Sequence, residues 1–255
     1  MPTGKLEICV DSLESAMNAV DGGADRIELC SALELGGLTP SAGLLHAVRE
    51  RIRERKQSCQ VFCMLRCRPG DFHYSEAEMD TMLADQRVLI EYNADGIVFG
   101  ALNKDGTGID AEACRKVVSE VRPHILPLTF HRAFDVCTTS STSDLLDQIQ
   151  SLGFTRLLTS GRAPTAIEGL DTLTKLLQIA PKSLTIMAGS GVNDTNAAAF
   201  INAGITELHA SASKIVKPTD ASQTQLLTQL GFGANDRRLT TLDRVKKLRS
   251  VIGNC

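Results

Sequence analysis

The sequence predicts an α/β protein: a (β/α)8 TIM barrel forming one domain over residues 1–255, with the barrel at about 5–211 and an irregular tail and final helix at 212–255. Three observations predict it. Short apolar runs alternate eight times with segments of helical periodicity, the pattern of parallel βα units. The runs are regularly spaced while their sequences do not repeat, which favours a closed barrel over a solenoid. Charged residues inside the runs fall on alternate positions, and a parallel sheet jacketed by apolar helices tolerates them only on the face turned into a barrel.

The first unit, residues 6–30, reads LEICV, DSLESAMNAVDGGAD and RIELC. Asp11 or Ser12 caps a helix whose stripe is Leu13, Ala16, Met17 and Val20, and Gly22-Gly23 ends it. Glu7, Arg26 and Glu28 set the inward parity, which Cys9 and Cys30 share. A polar loop with Gly36-Gly37 leads to a helix over 41–56 and the strand QVFCMLR at 60–66, with Phe62, Met64 and Arg66 inward. After CRPGDFHYS come a helix over 75–92 and the strand GIVFG at 96–100. The loop ALNKDGTGID precedes a helix over 110–121, and LPLTFH is the fifth strand, with Thr129 and His131 inward. RAFDVCTTSSTS reads as a loop before a helix over 143–152, and the sixth strand at 156–160 is followed by a helix over 165–179. LTIMAGS, GVNDTN and a helix to Ala203 lead to the last strand, ELHAS, with Glu207, His209 and Ser211 inward. Beyond it runs a long polar stretch, then a helix over 242–252.

A net charge of -3 without a basic patch excludes electrostatic binding to nucleic acid or to an anionic membrane surface. No apolar run is long enough to span a bilayer, and MPTGK leads straight into a strand, so an intracellular protein is expected. A reducing compartment is expected to keep most of the eight cysteines as thiols. With 4% aromatics and no tryptophan, the core is aliphatic.

Chemistry in a barrel belongs at the C-terminal ends of the strands. Cys9 and Cys30 arrive there as two inward thiols on neighbouring strands roughly 5 Å apart. Soft thiolates select Cu(I) or Zn(II), and Cu(I) accepts low coordination numbers, whereas zinc would draw further ligands from His131, His209 or carboxylates. Small apolar filler is the plain alternative for both cysteines. Cys59, Cys63 and Cys67 cannot share an ion, because four residues along a strand span roughly 13 Å and Cys63 faces the helices. Glu7, Arg26 and Glu207 sit low and read as an ion-pair layer, and Glu28 is expected to pair with Arg26 or Arg66. Arg66, Arg68 and Arg132, with the glycine turn Gly189 to Gly191, are candidates for holding a small anionic ligand. The catalytic candidates are Glu28, Arg66, His131 and Asp135, with Arg66 as anion clamp and Glu28, His131, Asp135 and also Asp71 as possible acid–base groups, which keeps open a lyase, aldolase or isomerase acting on a small anionic or phosphorylated substrate.

The runs ICVDSLESAMNAVDGGADRIELCSALELGGLTPS, RCRPGDFHYS, DGIVFGALNKDG, LTFHRAFD, RLLTSG and MAGSGV, in this order and spacing, resemble the copper homeostasis protein family called CutC over residues 5 to about 213. The resemblance implies a (β/α)8 barrel that is cytoplasmic, in animal members also nuclear, binds Cu(I) and assembles as a homo-oligomer. It places the copper ligands at the cysteines of the ICVD and IELC motifs, here Cys9 and Cys30. The family's RPRGGDF loop is here RCRPGDF, with Cys67 for a proline and Pro69 for a glycine, and the likeness fades after Ser213.

Overall fold

Eight parallel strands pair in sequence order and close on themselves. They are β1 (Lys5–Val10), β2 (Arg26–Leu29), β3 (Gln60–Met64), β4 (Gly96–Phe99), β5 (Leu128–Phe130), β6 (Arg156–Thr159), β7 (Thr185–Gly189) and β8 (Glu207–Ala210). The computed structural model describes residues 4–138, 141–216, 221–230 and 237–253; Cys255 lies outside them. The helices between strands are α1 (Leu13–Asp21), α2 (Ala42–Glu54), α3 (Glu76–Glu91), α4 (Ala111–Val121), a short α5 (Ala133–Val136), α6 (Thr142–Leu152), α7 (Leu170–Ile179) and α8 (Ala197–Asn202). Side-chain caps start several of them. Ser12, Ser41 and Asp110 accept backbone N–H groups of the first turns of α1, α2 and α4, and Ser75 with Glu78 forms a full capping box on α3. No helix among the described residues is long and apolar enough to cross a membrane.

The strand parity separates two cores. Leu6, Ile8, Val61, Cys63 and Leu65 face the helices and join the large outer cluster, whereas Cys30, Phe62, Met64 and Val98 form a small cluster inside the barrel. At the floor of the interior, Arg26 pairs with Glu7 and, at 2.7 Å, with Glu207. Arg156, not foreseen as inward, also reaches Glu207 at 2.6 Å. Both guanidinium groups lie over the ring of Phe62, 4.9 and 5.3 Å from its centroid. The layer carries two positive and two negative side chains, so its charges cancel within the fold.

Three segments differ from expectation. The helix expected from 165 begins only at Leu170, because the backbone of Ser160 and Gly161 crosses Gly169 so closely that a Cβ there would lie 2.0 Å from the Ser160 carbonyl oxygen. The stretch after His131 contains α5, which turns the chain sharply after β5. The polar tail holds an antiparallel ribbon of β9 (Ser213–Val216) and β10 (Arg237–Thr240), with α9 (Ala221–Gln229) between them. Thr240 anchors this ribbon to α1: its carbonyl accepts from Asn18 Nδ2 at 2.9 Å, and its N–H donates to Ser15 Oγ at 3.2 Å. Then α10 (Leu242–Gly253) packs between α8 and α1 and completes the helical jacket. Gly22 permits this, since a Cβ there would sit 2.5 Å from Val245.

Candidate metal and ligand site at the barrel mouth

Register builds the site. Pairing of β1 with β2 sets Cys9 opposite Glu28, and pairing of β1 with β8 sets Glu7 opposite His209. All four residues share the inward parity. Glu7 Oε1 lies 2.6 Å from His209 Nδ1, which aims the other ring nitrogen, Nε2, toward Glu28 Oε2 at 3.8 Å. One ligand atom each from Cys9, Glu28 and His209 falls within 4.8 Å of the others. Cys30 stands two residues further along than the partner of Cys9, so the two thiols are diagonal rather than opposed. Its Sγ donates to Glu28 Oε2 at 3.6 Å, while Cys9, half-buried, donates to the Ala210 carbonyl at 3.7 Å.

The electrostatics follow from crowding charge into a dry space. Burial raises the Glu28 carboxyl to about 6, helped by Glu7 and opposed by His209. Burial works against a charge on His209, but Cys9, Glu28 and Glu7 outweigh it and hold the imidazole well above its usual range. For Glu7, burial is again the largest influence, yet Arg26 and His209 hold the carboxyl well below the ordinary range. Burial, with Glu28 beside it, pushes the Cys30 thiol well up.

A second wall comes from β3 and β5. Arg66 Nη1 donates to the carbonyls of Leu35 and Gly37 at 3.0 and 3.4 Å, Nη2 donates to that of Gly70 at 2.9 Å, and the guanidinium lies 4.9 Å over Phe72. No carboxylate among the described residues pairs with it, and Glu28 pairs with neither arginine. The expected Glu28 partnership is thus corrected: Arg26 is taken by Glu7 and Glu207, and Glu28 faces His209. His131 Nδ1 accepts the Ala133 N–H at 3.2 Å, and its Nε2 has no partner. Burial and the neighbouring Arg66 push His131 down to about 3. The room for its ring is made by Gly100, where a Cβ would stand 2.6 Å from Nδ1.

Between the walls lies a cavity of about 300 Å³ lined by Cys9, Glu28 and His209, by Arg66, Phe72, His131 and Arg132, and by Leu33, Met64, Leu158 and Gly191 among others. Not every candidate reaches it. Arg68 turns outward to Glu78 and to Asp71 at 3.0 Å. Asp135 pairs with Arg132 at 2.8 Å and accepts the N–H groups of Ser160 and Arg162 and the hydroxyl of Thr159, which leaves it a loop-fastening role. Gly189 is a packing glycine, since a Cβ there would sit 2.5 Å from Leu158, whereas Gly191 does line the cavity. The part that sequence reasoning missed is Glu7 as the group that orients His209. The signal was present, two titratable residues of one parity on the first and last strands, but only closure of the barrel makes those strands neighbours.

This is a closed βα barrel whose mouth brings together a thiol, an imidazole and a carboxylate, donor types found in metal sites. The chain belongs to the CutC family, whose family model matches residues 4–214. It is 45% identical to the human copper homeostasis protein cutC homolog, over 100% of this chain and 94% of the relative. It is 38% identical to the Caenorhabditis elegans copper homeostasis protein cutC homolog, over 97% and 95%. A solved structure of CutC from Streptococcus agalactiae superposes with a TM-score of 0.76 at 31% identity, covering 82% of this chain and 98% of that one.

Proposed function

We propose that this protein takes part in copper homeostasis by binding Cu(I) at the barrel mouth, through Cys9, His209 and Cys30, with Glu28 beside them as the balancing charge. The observation that carries the reading is the Glu7–His209 pair. A histidine that ligates a metal commonly gives its other ring N–H to a carboxylate, which fixes the tautomer and the ring orientation. The donor set suits the ion, since sulfur and imidazole nitrogen are preferred by Cu(I) over oxygen. Two ligand atoms on opposite sides of one soft ion stand about 4.3 Å apart at ordinary metal–sulfur and metal–nitrogen lengths. The 4.8 Å spread of Cys9, Glu28 and His209 is within a small side-chain adjustment of that. Copper must displace a proton from Cys30, whose thiol is pushed well up by burial, and one from His209, whose imidazole the neighbouring Cys9, Glu28 and Glu7 hold well up, so binding should strengthen as pH rises.

Anaerobic titration of the reduced protein with Cu(I) against a competing chelator tests this. One tight ion is expected. Cys9→Ser and His209→Asn should each abolish tight binding, Cys30→Ser should weaken it, and Glu7→Gln should weaken it about 10–100-fold. Unchanged affinity in the Cys9→Ser/Cys30→Ser double variant sinks the reading. The same family resemblance supports a cytoplasmic homo-oligomer with a nuclear pool.

A second reading, an enzyme for a small anionic substrate, is favoured by one observation: Arg66 is buried at the cavity wall without a carboxylate partner among the described residues.

A further inference from the structure

We propose that the mouth cavity binds a small organic carboxylate at Arg66, His131 and Arg132, whether or not a metal occupies the cysteine wall. The inference deepens the second reading above and is independent of copper.

Arg66 is 5% exposed. Three backbone carbonyls take its Nη hydrogens, but carbonyls do not neutralise a charge, and a buried ion without a counter-charge is costly unless something supplies one. Beside it, His131 is 3% exposed. Its Nδ1 accepts from Ala133, so a neutral ring carries its proton on Nε2, and this donor has no partner. Arg132 stands at the rim, its Nε and Nη2 held by Asp135 and Ser160 and its charge half-exposed. Two guanidinium groups and two buried N–H groups without a partner, Arg66 Nε and His131 Nε2, therefore meet at the ends of β3 and β5.

The geometry also selects among anions. A phosphate dianion calls for a free guanidinium fork or a nest of backbone N–H groups. The fork of Arg66 is already committed to Leu35, Gly37 and Gly70. A monoanion needs less: one donor from His131 and the field of Arg66, whose charge no carboxylate among the described residues offsets, with Arg132, paired to Asp135, at the rim. Phe72, Met64 and Leu158 make the remaining wall apolar, which suits a short carbon chain. The space of about 300 Å³ matches roughly ten non-hydrogen atoms at the ~30 Å³ that a water occupies in the liquid.

The test is thermal unfolding of the reduced, metal-free protein with millimolar sodium butyrate or lactate, against butyramide, inorganic phosphate and sodium chloride at equal ionic strength. A carboxylate should raise Tm with concentration, as any ligand of the folded state does, and butyramide and chloride should not. Arg66→Met should remove the rise, and Arg132→Gln, at the half-exposed rim, should weaken it severalfold and carries the test should the first variant fail to fold. Cys30→Ser, at a proposed copper ligand outside the cavity lining, should keep the full response, which separates this outcome from the fate of the copper reading. No rise with either carboxylate, an equal rise with butyramide, a rise with phosphate alone, or an undiminished rise in Arg132→Gln overturns the proposal.

Discussion

At the floor of the barrel Arg26 meets Glu7 and Glu207, and Arg156 shares Glu207; at the mouth Arg66, equally hidden from water, meets only carbonyl oxygens. Both arginines rest on a phenylalanine ring, Arg26 on Phe62 and Arg66 on Phe72. What separates them is charge balance. The floor pairs its charges within the chain. The mouth holds Arg66 apart from Glu28, the carboxylate of the cavity lining, which turns to the imidazole and the thiol. Buried ionic groups are thus of two kinds here, those that complete one another and those left for a visitor.

Removing a charge should break this contrast most sharply at the floor. Arg26→Met strands Glu7 and Glu207, a loss of about 3–5 kcal/mol expected for a broken buried pair. Arg66→Met strands no carboxylate and should cost less, and urea unfolding of the two variants side by side ranks them. Equal losses would erase the distinction.

Acid should sharpen the contrast at the mouth. His131 is held near 3 in the fold by burial and Arg66, against 6.5 for an ordinary histidine. A depressed value means that the unfolded chain takes the proton first, so the stability this residue contributes is full above pH 6.5 and drains as pH falls toward 3. The slope is at most about 1.4 kcal/mol per pH unit, or about 2 kcal/mol lost by pH 5. His131→Asn, which keeps an acceptor for the Ala133 N–H, should show a flatter Tm decline between pH 7 and 5 than the parent. Parallel declines would mean that His131 is protonated in the fold.

The smallest effect belongs to Arg68, which differs from Arg66 by two positions and points away. Its pairs with Asp71 and Glu78 are partly exposed, so Arg68→Ala should cost about 0–1 kcal/mol. It should leave both Cu(I) affinity and the carboxylate response unchanged; a loss of either would place Arg68 at the mouth.

Residue alternation made much of this legible. It assigned Glu7, Cys9, Arg26, Glu28, Phe62, Met64, Glu207 and His209 to the interior, because a helix-facing charge is too costly to occur. Alternation gives a face and not a height, and height depends on strand register around a closed ring. That is why Cys9 stands opposite Glu28 rather than Cys30, and why Glu28 meets His209 instead of an arginine. The rule also ends with the strand. β3 stops at Met64: the parity that places Arg66 inward still holds one step further, but Arg68, of the same parity, turns out. In the tail, β9 and β10 are short, largely exposed and far apart in sequence, and such pairing leaves no periodic trace.

Glu7 belongs to both halves of the comparison: one carboxylate oxygen serves Arg26 and the other His209. A single side chain is therefore the hinge of an epistatic pair. Substitutions at Arg26 and at His209 act on the same carboxylate, so their effects should not add in a double-mutant cycle. A change buried at the floor, remote from any ion, can then register as a defect of the mouth, and the two layers are constrained to vary together.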